Sequence, residues 1–194
     1  MVKSIGDKKI FCAVFISGRG SNLKSIYKYS KKKKSKIHLK LVITNRSDAL
    51  GINFAKKNKI QIKIVSFQNR NKAEKKILIF LKKNKIEMIF LAGFMKILSK
   101  NFIKNFKNKI INIHPSLLPK YKGLNTHERA IKNKDKFSGC TVHFVNEKLD
   151  SGKIILQQRV KINKSDTPKN LAKKILIVEN KIYPKAIHKI TSKI

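Results

Sequence analysis

Ile110-Ile111-Asn112-Ile113-His114-Pro115-Ser116-Leu117-Leu118-Pro119 is the stretch on which the reading of this chain turns. The β-branched run 110–113 follows a Lys/Asn-rich segment and reads as a buried strand whose last residues emerge at a sheet edge. Pro115 stops it. Side chains alternate along a strand, so Asn112 and His114 share a side, and an amide donor stands beside an imidazole at a strand's carboxyl end. In an open α/β sheet that end is where ligands bind. A group that carries a proton, next to one that only makes hydrogen bonds, suits a reaction that builds negative charge on a carbonyl oxygen. Taken alone, these residues fit a structural Asn and a surface His equally well.

Working outward, apolar runs and helical patterns alternate about every 20 to 25 residues, the signature of βαβ units. Residues 11–16, apolar on both faces, read as a central parallel strand. Ser17-Gly18-Arg19-Gly20-Ser21-Asn22 follows, then a helix over 23–29. Two glycines allow a tight turn, and Ser21 or Asn22 is placed to cap a helix whose first amides would cradle a phosphate. A plain strand-to-helix turn has the same sequence requirements. Residues 31–36 read as a solvated charge run. Strands are predicted over 39–44, 62–65 and 88–91, and helices over 49–58, capped by Ser47 or Asp48, and 72–84, with Ala73, Ile77, Phe80 and Leu81 on its apolar stripe. Ala92-Gly93-Phe94-Met95 leaves room for a flat ligand or forms a packing turn. Ser99 caps a helix to Phe106.

After Pro119 the pattern changes. A helix over 126–133, strands over 141–145 and 154–160 and the turn 146–152 predict an antiparallel extension. Thr167 opens the last helix, with Pro168 in its first turn and Leu171, Ile175, Val178 and Ile182 as its buried stripe. Pro184 is expected to end or kink it at Tyr183. The fold class is therefore α/β: a mostly parallel, Rossmann-like twisted sheet with helices on both faces and an antiparallel C-terminal extension, in a single domain over 1–194.

Composition bounds the function. The 194 residues suffice for one well-buried core, and their 41% hydrophobic content is gathered in short runs, as in a folded protein. Order is expected throughout, the two ends excepted. No apolar run approaches the ~20 residues of a membrane span, and 11–16 is too short for a signal sequence, so a cytoplasmic protein is expected. Cys12 and Cys140 read as small buried residues in a reducing compartment. A net charge of +37 invites a nucleic-acid reading. However, of the 47 basic residues only Arg19, Arg46, Arg70, Arg129 and Arg159 are arginine, and the lysines are dispersed. A phosphate-reading surface clusters its charge and favours arginine's planar fork. No specific nucleic-acid partner is expected, and Lys, Ile and Asn enriched together match an A/T-biased codon supply.

His38, His114, His127, His143 and His188 show no ligand spacing, so no metal is expected. Ser116 lacks the strand-turn-helix setting of a nucleophile elbow. Acid/base and electrostatic chemistry remain. Asp150, in a glycine-containing turn, is the partner expected for His114, unless it only shapes its turn.

The segments Ser17-Gly18-Arg19-Gly20-Ser21-Asn22-Leu23, Leu91-Ala92-Gly93-Phe94-Met95, 112–120, and Thr141-Val142-His143-Phe144-Val145 with Leu149-Asp150-Ser151-Gly152 resemble, in order and spacing, the phosphoribosylglycinamide formyltransferase family of purine biosynthesis. The resemblance covers about 11–184. It implies transfer of a formyl group from 10-formyltetrahydrofolate, a co-substrate, to the amine of glycinamide ribonucleotide, with both partners small molecules, no membrane, and a monomer or homodimer. By matching position, Asn112, His114 and Asp150 take the catalytic roles, and Gly20, Ser21 and Asn22 the phosphate site, with Glu179 at the glycinamide. Arg70, Met95, Lys96, Ile97 and Leu98 match folate-pocket positions, as do Asn112 and the loop Asn146, Glu147, Lys148, Leu149 and Asp150. Lys122 stands where the family usually has proline, and Asn125 where a His often precedes Thr-His. A looser loop and lower efficiency are expected from these departures.

Three other readings compete. A methionyl-tRNA formyltransferase shares the donor and the Asn-x-His arrangement, but the glycine-rich turn and the want of a C-terminal RNA-binding domain argue against it. A formyltetrahydrofolate deformylase resembles a chain with an extra N-terminal domain. A basic nucleic-acid-binding protein would need clustered charge and stacking aromatics.

Overall fold

A computed structural model describes residues 9–192; the two ends of the expected 1–194 domain lie outside them. In chain order the elements are β1 (Ile10–Ile16), α1 (Ser21–Ser30), β2 (Ile37–Thr44), α2 (Gly51–Lys57), β3 (Gln61–Ile64), α3 (Arg70–Lys83), β4 (Met88–Leu91), α4 (Lys100–Asn105), β5 (Lys109–His114), α5 (Thr126–Lys132), β6 (Phe137–Phe144), β7 (Ile154–Lys161) and α6 (Pro168–Thr191). They build one sheet in the order β3-β2-β1-β4-β5-β6-β7, with β3 and β7 at its edges. The pairs from β3 through β5 are parallel; β6 and β7 join antiparallel. Strand order reverses between β1 and β4, which opens a crevice at their carboxyl ends.

Alternation in the strands sorts the core into two layers. Cys12, Val14 and Ile16 of β1 face α1, α2, α5 and α6, through Leu23, Ala55, Ala130, Leu171 and Ile175. Ala13 and Phe15 face α3 and α4, through Ala73, Ile77, Leu81 and Phe102. Burial on both faces is what favours the unbroken apolar runs of β1 and β4. Both cysteines are buried and unpaired. Among the described residues no helix is long and apolar enough to cross a membrane.

Several local expectations are corrected. Neither Ser21 nor Asn22 caps α1: Ser21 is already helical, and Gly20, in the left-handed region at φ 72°, is the cap. Gly20 is required there twice over, because a Cβ on it would lie 2.9 Å from the Gly51 Cα as well as straining the backbone. α2 starts at Gly51, two residues later than expected, so its cap is Leu50, with no side-chain bond, while the Asp48 carboxylate pairs with Arg46. Asn69 caps α3, two residues earlier than expected, by accepting from the Lys72 N–H. Ser99 caps α4 as expected. On α3 Phe80 is only half-buried, and on α6 the same holds for Val178, while Glu179 is buried. β6 starts at Phe137 rather than 141, since Phe137, Ser138 and Gly139 pair with β7 beyond the end of β5.

The α6 helix does not end at Tyr183 but runs through Pro184 to Thr191. An interior proline forfeits a backbone hydrogen bond. Tertiary contacts outweigh that loss: Tyr183, Ala186 and Ile187 are fully buried, and the Tyr183 hydroxyl reaches the carbonyls of Leu91 at 3.0 Å and Ile111 at 2.9 Å.

Candidate active site

A cavity of about 1110 Å³ lies at the carboxyl ends of β1, β4 and β5. That is slightly above the ~1,000 Å³ upper end of ordinary single-ligand pockets. One half is bounded by the turn after β1, residues 17–22, and by the start of α6; the other by residues 94–98 and 145–150. Asn112, His114, His143 and Asp150 line the same cavity.

Asn112 and His114 stand on β5, His143 on β6 and Asp150 in the turn after β6. His114 ends β5, and its Nε2 lies 2.8 Å from the Tyr121 carbonyl oxygen. Tyr121 is fixed in turn: its hydroxyl donates to Asp135 at 2.8 Å and accepts from the Asn133 amide at 2.9 Å. On the other side of the ring, Nδ1 faces the Asp150 Oδ2 at 3.4 Å. A carbonyl and a carboxylate both accept only, so the imidazolium, with a proton on each nitrogen, is the form that satisfies both. Asp150 itself takes up φ 44°, and its Oδ2 also accepts the Gly123 N–H at 2.9 Å.

His143 stands opposite Asn112 in the β5–β6 register. Burial pulls its pKa below the ordinary value, against a hydrogen bond to the Phe144 carbonyl. The ring is thus neutral with its proton on Nδ1, which donates to that carbonyl at 2.8 Å, and Nε2 accepts from the Asn112 amide at 3.2 Å. One Asn112 N–H is thereby committed. The other meets only the Asp150 Oδ1, at 3.5 Å, and is available to a ligand.

In the other half, Asn22 on α1 donates to the Glu179 carboxyl on α6 at 2.8 Å. Burial pushes the Glu179 pKa up to about 7, with the Asn22 bond opposing. The Asn22 Oδ1 and the His127 Nδ1 are buried without a partner among the described residues, and both residues line the cavity.

Of the residues expected from sequence, Gly20, Ser21, Asn22, Glu179, Asn112, His114 and the stretches 95–98 and 146–150 all line this one cavity. Arg70 does not: it is exposed on the first turn of α3, outside the lining. Sequence reasoning gave no role to His143, Tyr121 or His127. The alternation of Thr141, His143 and Val145 was a signal for the first, since it puts an imidazole on a strand that pairs with β5. Of the two departures, Lys122 donates to the Ser151 hydroxyl at 2.6 Å, which ties its loop to the turn that carries Asp150. Asn125 caps α5 in the left-handed region at φ 57°, a conformation that asparagine tolerates well. Among the described residues, no group of three or more His, Cys, Asp or Glu is arranged to hold a metal ion.

Comparison with known proteins gives a consistent result. A family model described as formyl transferase matches residues 9–187. Phosphoribosylglycinamide formyltransferase of Escherichia coli K12 is 37% identical over 177 residues, covering 90% of this chain and 84% of that protein. The trifunctional purine biosynthetic protein adenosine-3 of Bos taurus is 38% identical over 192 residues; the chain spans 19% of its length. A crystal structure of phosphoribosylglycinamide formyltransferase from Anaplasma phagocytophilum superposes with a TM-score of 0.90 at 39% identity, over 96% of this chain and 88% of that one.

Proposed function

The chain belongs to the formyl transferase family, beside its phosphoribosylglycinamide formyltransferases, and from that membership we propose that it moves the formyl group of 10-formyltetrahydrofolate onto the amine of 5'-phosphoribosylglycinamide. The products are formylated ribonucleotide and tetrahydrofolate, in purine biosynthesis. The observation that carries this reading is the Asn112–His114–Asp150 group, in mutual contact through Asp150, on the lining of a cavity that also takes in the turn 17–22 and residues 94–98.

The ribonucleotide occupies the half at the turn after β1. The first N–H groups of α1 have no partner within the helix, and they bind phosphate through Gly20, Ser21 and Asn22. Asn22 and Glu179 meet the glycinamide, where the unpaired Asn22 Oδ1 supplies an acceptor. The folate occupies the other half, where Met95, Ile97 and Leu149 expose apolar surface for a flat ring system. Lys96 and Lys148 bring positive charge for carboxylates.

Both reactants held in one cavity make the encounter effectively intramolecular. The substrate amine attacks the formyl carbon, and charge develops on the formyl oxygen. The Asn112 N–H that makes only the long contact to Asp150, and the His114 imidazolium, stabilise that charge in place, with little reorganisation. His143 fixes the Asn112 amide and Tyr121 fixes the imidazole, so neither has to be oriented during the step. Asp150, facing the His114 Nδ1, orients the ring and helps carry a proton, directly or through water, from the attacking nitrogen to the departing folate nitrogen.

The test is loss of 10-formyltetrahydrofolate catalysed by the purified chain, with and without glycinamide ribonucleotide. Consumption that requires the ribonucleotide is expected. Consumption in its absence would mean transfer to water instead, and no consumption under either condition would overturn the reading.

A further inference from the structure

The wall at residues 94–98 belongs to no helix or strand, so its backbone must find partners elsewhere. Its two ends are held by residues from elsewhere in the fold. At the far end, the Glu74 carboxylate of α3, itself buried, accepts the Ser99 N–H at 2.7 Å and bonds to the Ser99 hydroxyl. At the near end Ser17 bonds to both Gly93 and Met95. Its N–H donates to the Gly93 carbonyl at 3.1 Å, and its Oγ accepts the Met95 N–H at 2.8 Å. The one hydroxyl proton of Ser17 goes to the Asn45 Oδ1 at 2.5 Å, which aims the lone pairs at Met95.

Ser17 is also the first residue of the turn 17–22 that bounds the other half of the cavity, and it is buried. We infer that Ser17 is a positioning residue that makes the two halves bind cooperatively, since its hydroxyl joins the phosphate-side turn and the folate-side wall in one hydrogen-bonded unit. The inference rests on the proposed function for the identity of the two ligands. A ligand that orders the turn fixes the Ser17 hydroxyl, and through it the Met95 amide. The second ligand then meets a wall already in place, and by linkage the effect is equal in both directions. Nothing in this arrangement requires Ser17 to touch the reacting atoms.

The experiment is calorimetric titration with tetrahydrofolate, the unreactive product, in the absence and presence of saturating glycinamide ribonucleotide, and the reverse titration. In the wild-type chain the ribonucleotide is expected to lower the tetrahydrofolate Kd by about fivefold or more, with the same factor in reverse. Ser17→Ala removes the hydroxyl and keeps the backbone bond to Gly93. The coupling ratio should then fall to within about twofold of one, while each ligand still binds alone. Asn45→Ala leaves Ser17 in place but frees its hydroxyl proton. It should lower the ratio in the same way, and it carries the test if Ser17→Ala does not fold. A role confined to folding would lower the melting temperature and leave the ratio unchanged. A wild-type ratio of one with both ligands bound, or an unchanged ratio in the folded variants, would overturn the inference alone. Failure of either ligand to bind the wild type would overturn the functional reading instead.

Discussion

Asp150 holds its carboxylate against His114 from a backbone at φ 44°, a conformation that costs a non-glycine residue on the order of 1 kcal/mol. The Gly123 N–H bond and the Lys122–Ser151 contact maintain it from the neighbouring loop. Asparagine tolerates this backbone region and can still accept from Gly123, so Asp150→Asn separates charge from geometry. Formyl transfer by that variant should fall by about 10²- to 10⁴-fold, with circular dichroism unchanged and the pH–rate profile altered. An unaltered rate and profile would remove the proton-transfer role. Glu179 allows a second test. Its buried carboxyl is protonated in the folded state up to about pH 7, against an ordinary value of 4.5. Below 4.5 both states hold the proton. Between the two values the folded state binds more protons than the unfolded one, so stability falls as pH rises and levels off above about 7. Relative to Glu179→Gln, denaturant titrations of the wild type should show a loss approaching about 3 kcal/mol across that window.

At the scale of elements, β1 and β4 were legible because each is apolar on both faces, a pattern that survives the lysine-rich composition around it. The Asn112–His114 pair was legible too, since strand alternation is local. What sequence missed is set at a distance. His143 faces Asn112 only through the antiparallel register of β6 on β5, and β6 gains its first residues only because β7 is there to pair with them. Pro184 obeys its neighbours in space, through the anchored Tyr183, rather than its neighbours in sequence. The caps of α1 and α2 were missed for the same reason. Gly20 lies against Gly51, whose N–H donates to the Gly18 carbonyl at 3.1 Å. A Cβ on Gly51 would come within 2.5 Å of the Ile16 Cδ1 in the filled core. Gly51→Ala is therefore expected to cost about 1–3 kcal/mol in denaturant titrations. By shifting the turn it should also weaken binding of glycinamide ribonucleotide, measurable by calorimetry in the absence of folate.

For the molecule as a whole, the net charge of +37 acts on encounter more than on chemistry. A doubly charged phosphate ester is drawn toward such a surface, and raising the ionic strength to about 0.15 M cuts the range of that attraction to about 8 Å. Steady-state assays across a salt series should show kcat/KM for the ribonucleotide falling several-fold while kcat stays level. Equal losses in both would place the salt effect in the cavity instead. The same charge bears on the two borders of the sheet. β3 and β7 are each hydrogen-bonded to a neighbouring strand on one side only in the described sheet. Lys63 lies in β3, Arg159 and Lys161 in β7, and the Lys189 ammonium already occupies the Ile155 carbonyl at 3.2 Å. A strand arriving from a second copy would bring its own cations against these and have to displace one of them. The excess of lysine that imitates a nucleic-acid-binding surface in the composition is thus expected to act as a guard against fibre growth from the two borders of the described sheet.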